Sequence, residues 1–150
     1  MIAYFDSSSI VKWFFDEPLM ELAREIKAKA DLCVTSPLSL PEVTSAMNRA
    51  WKEKRCTKSD VELVRGEFLR VWPDFQRIHV TDSLMEQSAA LVFKHNLKAF
   101  DAVHLASALV LSSENSGTEV FSRASIRTWI EPPTGRDSLF TDDSPNRSKT

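Results

Sequence analysis

Residues 97–111 constrain this chain most: Leu97-Lys98-Ala99-Phe100-Asp101-Ala102-Val103-His104-Leu105-Ala106-Ser107-Ala108-Leu109-Val110-Leu111. Beyond Asp101 the run is almost wholly apolar and lacks Gly and Pro, which predicts a helix packed on more than one side. Asp101, His104 and Ser107 interrupt it at three-residue steps and so share one narrow stripe. A carboxylate that opens such a helix either complements the positive end of the helix dipole or is hydrogen-bonded, paired or bound to a cation. The choice turns on whether other carboxylates converge on it.

With 150 residues, 43% of them hydrophobic and 27% charged, the chain is expected to build one globular domain around one core. Three glycines are too few for a turn-rich all-β fold. No run is long and apolar enough to span a bilayer. The opening Met1-Ile2-Ala3-Tyr4-Phe5-Asp6 has no basic region ahead of its apolar run, unlike a signal peptide, so a cytoplasmic protein without a membrane anchor is expected. Cys33 and Cys56 lack metal-site spacing, and Cys33 reads as a small core residue. A net charge of −2 argues against a broadly basic nucleic-acid surface. It leaves room for a nuclease whose acids hold metal ions, because the ions then supply the positive field.

In chain order, residues 2–5 predict a buried, central, parallel strand. Asp6 follows it, at the strand end where open α/β sheets bind ligands, but Asp6 is also a good helix N-cap. The three serines after it offer caps of their own. Residues 10–15 suggest a short apolar helix, 20–30 an amphipathic helix, and 32–35 a second strand. Ser39 and Glu42 form a capping-box pattern at the next helix, which accounts for Glu42 without any further role. Ser59 and Glu62 repeat the pattern. Lys52, Lys54, Arg55, Arg65 and Arg70 offer a modest basic rim or simply a wet surface. Residues 78–80 predict a third strand, and Thr81 or Asp82 the cap of the helix after it. His79, His95 and His104 show no ligand pattern, and a helical His104 is expected to be packed and hydrogen-bonded. Residues 118–122 predict a fourth strand, with Ile126, Trp129 and Ile130 continuing packed structure. Residues 1–130 read as the domain and 131–150 as a flexible C-terminal tail. Strands alternating with helices predict an α/β/α sandwich around a mostly parallel sheet of four to five strands. Asp6, Glu42 and Asp101 would then meet at one edge of it.

Three blocks carry a family likeness. They are Ile2-Ala3-Tyr4-Phe5-Asp6-Ser7-Ser8-Ser9-Ile10-Val11-Lys12 with Glu17-Pro18, then Ser36-Pro37-Leu38-Ser39-Leu40-Pro41-Glu42-Val43 with Ala46 and Arg49, then residues 97–109 around Asp101-Ala102-Val103-His104-Leu105-Ala106. In this order and spacing the chain resembles the PIN-domain ribonucleases, in particular the VapC-like toxins of toxin–antitoxin pairs. The resemblance covers residues 1–112 and its third block is the most specific. It implies a metal-dependent endoribonuclease with catalytic acids at Asp6, Glu42 and Asp101, and with Ser8 as the hydroxyl beside the first acid. It also implies a cognate antitoxin and a homodimer.

The chemistry suits those residues. A carboxylate cluster without Cys or His fits Mg²⁺ or Mn²⁺, and a cation offsets repulsion among crowded acids. Asp6 and Asp101 are the expected principal metal ligands. Glu42 either binds the metal, directly or through water, or orients the attacking water. Ser8 would hydrogen-bond a ligand carboxylate or a bound water. One departure stands out: with Ile126 aligned to the family's usual Leu, Arg123 falls where another acid is expected. That opens an alternative, a weak or inactive PIN-like module that binds antitoxin or RNA. A phosphatase with an aspartyl nucleophile is disfavoured, because Ser8 occupies the place of its second Asp.

Overall fold

The computed structural model describes residues 1–16, 20–115 and the backbone of 118–121. Four strands, β1 (Ile2–Phe5), β2 (Leu32–Thr35), β3 (Gln76–Arg77) and β4 (Thr118–Phe121), form a parallel sheet in the order β3-β2-β1-β4. Ile2 pairs with Leu32 on one side and Thr118 on the other, so β1 is central, as its uncharged run requires. Among the described residues, six α-helices accompany the sheet: α1 (Ser7–Val11), α2 (Met20–Lys29), α3 (Ser39–Lys52), α4 (Lys58–Val71), α5 (Asp82–His95) and α6 (Ala99–Glu114).

The side-chain alternation of β1 sorts the core into two halves. Ala3 and Phe5 join Ile10, Trp13, Ala23, Val43, Met47 and Phe68, which places α1 to α4 on one face. Tyr4 and Val34 pack against Ala108 and Leu111 of α6 on the other. Leu84 and Leu91 of α5 cover α6 in turn, against Ala102, Val103, Leu105 and Ala106. Helix α6 lies between the sheet and α5, which is why its sequence is apolar nearly all round. The result is the α/β/α sandwich expected from the pattern, with four described strands, all parallel. No described helix is long and apolar enough to cross a membrane.

Several local expectations are corrected. Strand β3 is Gln76–Arg77 rather than 78–80, because its partner β2 ends at Thr35, where the chain turns into α3. Ile78 adds one more bond, from its N–H to the Thr35 carbonyl, and then packs between sheet and helices. Helix α3 has no capping box: Leu38 is its N-cap, without a side-chain hydrogen bond. Ser39 instead turns inward to Thr35 Oγ1 at 2.7 Å. The capping box of α4 is built by Thr57 and Asp60, two positions before the expected pair. Thr81, not Asp82, caps α5. Cys33 is half-buried against the first core, and burial pushes its thiol pKa up. The expectations for Arg123, for Ile126, Trp129 and Ile130, and for the tail over 131–150 lie outside the described residues.

Candidate active site

A cleft of about 790 Å³ opens at the carboxyl end of the sheet, lined among others by Asp6, Ser7, Ser8, Glu42, Asp101 and His104. Three separate parts of the chain meet there: the β1–α1 junction, the first turn of α3 and the first turn of α6. The structure thus brings Asp6, Ser8, Glu42 and Asp101 to one cavity. It does not merge them into one tight cluster: among the described residues, no three His, Cys, Asp or Glu side chains stand ready to enclose an ion.

Asp6 is buried and caps α1, its Oδ1 accepting from Ser9 N at 2.8 Å and from Ser8 Oγ at 2.9 Å. The serines therefore do not relieve the acid of the capping role. One carboxylate serves α1 and faces the cleft as well. Asp101 is exposed in the first turn of α6, whose N-cap, Lys98, makes no side-chain cap bond. Its charge meets the positive end of that helix. Phe100 beside it is 55% exposed at the cleft wall.

With no capping box in α3, Glu42 is held from elsewhere. Its Oε2 accepts from Ser7 Oγ and lies 2.7 Å from His104 Nε2. Burial by itself would raise the Glu42 pKa, but the hydrogen bonds from His104 and Ser7 outweigh it and hold the carboxyl below the usual carboxylate range. A ladder of hydroxyls supports the arrangement. Thr35 Oγ1 donates to the Phe5 carbonyl at 2.6 Å and pairs with Ser39 Oγ, which lies 3.3 Å from Ser7 Oγ.

His104 is buried and hydrogen-bonded, as its helical position suggests. Its Nδ1 lies 2.8 Å from Tyr4 OH and its Nε2 3.0 Å from Ser7 Oγ. Ser7, His104 and Glu42 are not a nucleophilic triad. In such a triad the serine and the acid bind opposite ring nitrogens, whereas here both meet Nε2. Burial pushes the Tyr4 hydroxyl pKa well up, against a smaller opposing effect from a hydrogen bond with Ser107, so Tyr4 stays protonated. Ser7 and Tyr4 escaped the sequence reading. Ser7 is hidden among three equivalent serines. Tyr4 carried a signal: a hydroxyl inside a buried strand demands a partner.

Lys12, Arg49 and Arg55 bring positive charge to the cleft wall. Of the basic rim expected from the sequence, Arg55 lies at the cleft, whereas Lys52, Lys54, Arg65 and Arg70 do not line it. Arg70 pairs instead with Glu67 at 2.7 Å.

A parallel sheet with this strand order, and acids delivered to its carboxyl end by β1, α3 and α6, define a PIN-type α/β/α domain. The chain belongs to the PIN domain family, which it matches over residues 3–122. It is 29% identical over 122 residues to Ribonuclease VapC45 and, equally, to Ribonuclease VapC49, both from Mycobacterium tuberculosis; the alignments span 81% of this chain and 85% of each relative. The fold is shared with M. tuberculosis VapC20, a sarcin-ricin loop cleaving toxin, at a TM-score of 0.59 and 19% identity over 81% of this chain and 91% of that one. A toxin–antitoxin complex from Klebsiella pneumoniae aligns at a TM-score of 0.58 and 21% identity, over 81% and 85% of the two chains.

Proposed function

We propose that this protein is an endoribonuclease toxin of the VapC type, hydrolysing RNA phosphodiester bonds with Mg²⁺ or Mn²⁺. The observation that carries the reading is the meeting of Asp6, Glu42 and Asp101, far apart in sequence, at one cleft. The VapC ribonucleases among its relatives support it. The donor chemistry fits a hard cation: these acids offer oxygen, and His104, the histidine at the cleft, has both ring nitrogens engaged. Mg²⁺ is commonly held by one or two carboxylates and its own waters, so a closed protein cage is not required.

Asp6 and Asp101 would hold the ion. Glu42 would bind it, directly or through water, or orient the attacking water. Ser8, donating to Asp6, would fix the angle of that carboxylate. A bound cation would supply a water of lowered pKa and a Lewis acid for the phosphoryl oxygens. Lys12, Arg49 and Arg55 would meet backbone phosphates, and Phe100 offers a face for a base. A cognate antitoxin, a homodimeric state and a cytoplasmic setting complete the reading.

A second reading is a weak or inactive PIN module that binds antitoxin or RNA. Two observations favour it: Arg123 at the place of a family acid, and no three-residue metal cluster among the described residues. The experiment is cleavage of labelled single-stranded RNA with Mg²⁺, Mn²⁺ or chelator, beside Asp101→Asn. Cleavage that requires both metal and Asp101 establishes the first reading. Intact RNA, together with feeble Mn²⁺ binding by calorimetry, establishes the second.

A further inference from the structure

The hydrogen-bonded path from Tyr4 to Glu42 joins four elements. It runs from Tyr4 OH on β1 to His104 Nδ1 on α6, and from His104 Nε2 to Glu42 Oε2 on α3, where Ser7 of α1 also donates. Tyr4, at 1% exposure, and His104, at 5%, lie where water cannot substitute for a lost partner. Proton accounting gives the path a direction. A carboxylate only accepts, so Nε2 must carry a hydrogen toward Glu42. In the neutral ring Nδ1 is then the acceptor, and the protonated Tyr4 hydroxyl donates to it. The opposite tautomer would set a bare Nε2 against a carboxylate oxygen 2.7 Å away.

We propose that Tyr4 and His104 are positioning residues: Tyr4, donating to Nδ1, anchors the ring of His104, whose Nε2–H holds the Glu42 carboxylate in a single orientation toward the cleft. The proposal rests on the endoribonuclease reading for its kinetic consequence, but not for its structural one. Among the cleft acids it is Glu42 that this path meets by a hydrogen bond, so both residues act through it. The device resembles the outer partners of metal sites, whose loss costs about 10–100-fold in affinity or activity. It also explains a tyrosine, rather than an aliphatic residue, in the middle of a central strand.

The test has two arms. In the first, ring ¹⁵N spectra of His104 in the free protein report its tautomer without reference to any activity. The expected result is Nε2–H in the wild type and in Tyr4→Phe, with the Nδ1 resonance of the variant shifted by loss of its donor, since the substitution removes one oxygen from the core. An Nδ1–H or mixed ring in the wild type overturns the proposal, whether or not the protein cleaves RNA. In the second arm, Tyr4→Phe and His104→Leu are expected to lower kcat by about 10–100-fold with KM nearly constant. His104→Gln, whose amide can present a donor near the place of Nε2, should recover most of the loss at equal Tm. In a Glu42→Gln background, His104→Leu should cost nothing more, as expected for residues acting as one unit. A further loss of full size there overturns the proposal. If no protein cleaves RNA, the functional reading fails and the tautomer alone decides this one.

Discussion

His104 Nε2 lies 2.7 Å from Glu42 Oε2, although 62 residues separate the two along the chain. Two helices on opposite faces of the sheet, α3 and α6, are thereby joined through side chains at the mouth of the cleft. The acids at that mouth differ in surroundings: Asp6 is buried, Glu42 half-buried and Asp101 exposed. Their substitutions should differ accordingly.

Asp6→Asn and Asp101→Asn should each reduce RNA cleavage by about 100-fold or more, beyond the loss typical of outer-shell partners. Neither should unfold the protein. Asn caps a helix about as well as Asp, and Asp101 is exposed. Initial rates on labelled RNA beside thermal melts check this. Full cleavage by both variants would remove these acids from the mechanism.

Glu42 links the site to acid stability. Its folded pKa is depressed, so its contribution is complete above the unfolded value and is lost as pH falls through the folded one. In metal-free protein the difference in Tm between wild type and Glu42→Gln should be largest above about pH 5 and shrink below about pH 4, where a free glutamate protonates. Melts across that range measure it. Parallel curves would show that Ser7 and His104 do not favour the charged form.

Gly66 lies exposed within α4, and an added Cβ would meet nothing within 4 Å. Gly66→Ala should stabilise the protein by about 0.5–1 kcal/mol, or roughly 1–4 °C in Tm, through lower backbone entropy in the unfolded chain. Cleavage should not change. An unchanged or lowered Tm would contradict the placement of Gly66 inside a helix.

Trp13 carries an unmet demand. It is buried, stacked on Phe75 with ring centroids 5.3 Å apart, and among the described residues its Nε1 has no hydrogen-bond partner. Trp13→Phe removes that N–H along with ring volume. The two effects oppose, so the net loss should stay below about 1 kcal/mol, against about 3–5 kcal/mol for truncation to Ala. Denaturant titration of both variants separates these values.

The sandwich was legible because hydrophobic period reports burial directly. Residues 2–5 read as a doubly flanked strand, and 102–111 as a helix between two layers. Caps were less legible, since Ser, Thr and Asp compete locally and tertiary partners decide among them. Ser39 is drawn to Thr35 rather than to its own helix, and Thr57 displaces Ser59. The three acids could be placed at one sheet edge from strand order. Ser7 and Tyr4 could not, because their roles depend on His104 arriving from nearly a hundred residues away.

That distance has a consequence during synthesis. Tyr4 and His104 lie 100 residues apart, and β1 must await β4 for its second neighbour. At about 5–20 residues per second, a ribosome takes roughly 5–20 s to cover that span. Throughout the interval the nascent chain carries Asp6 without Asp101 or His104, so the proposed ribonuclease site stays incomplete until α6 has been made.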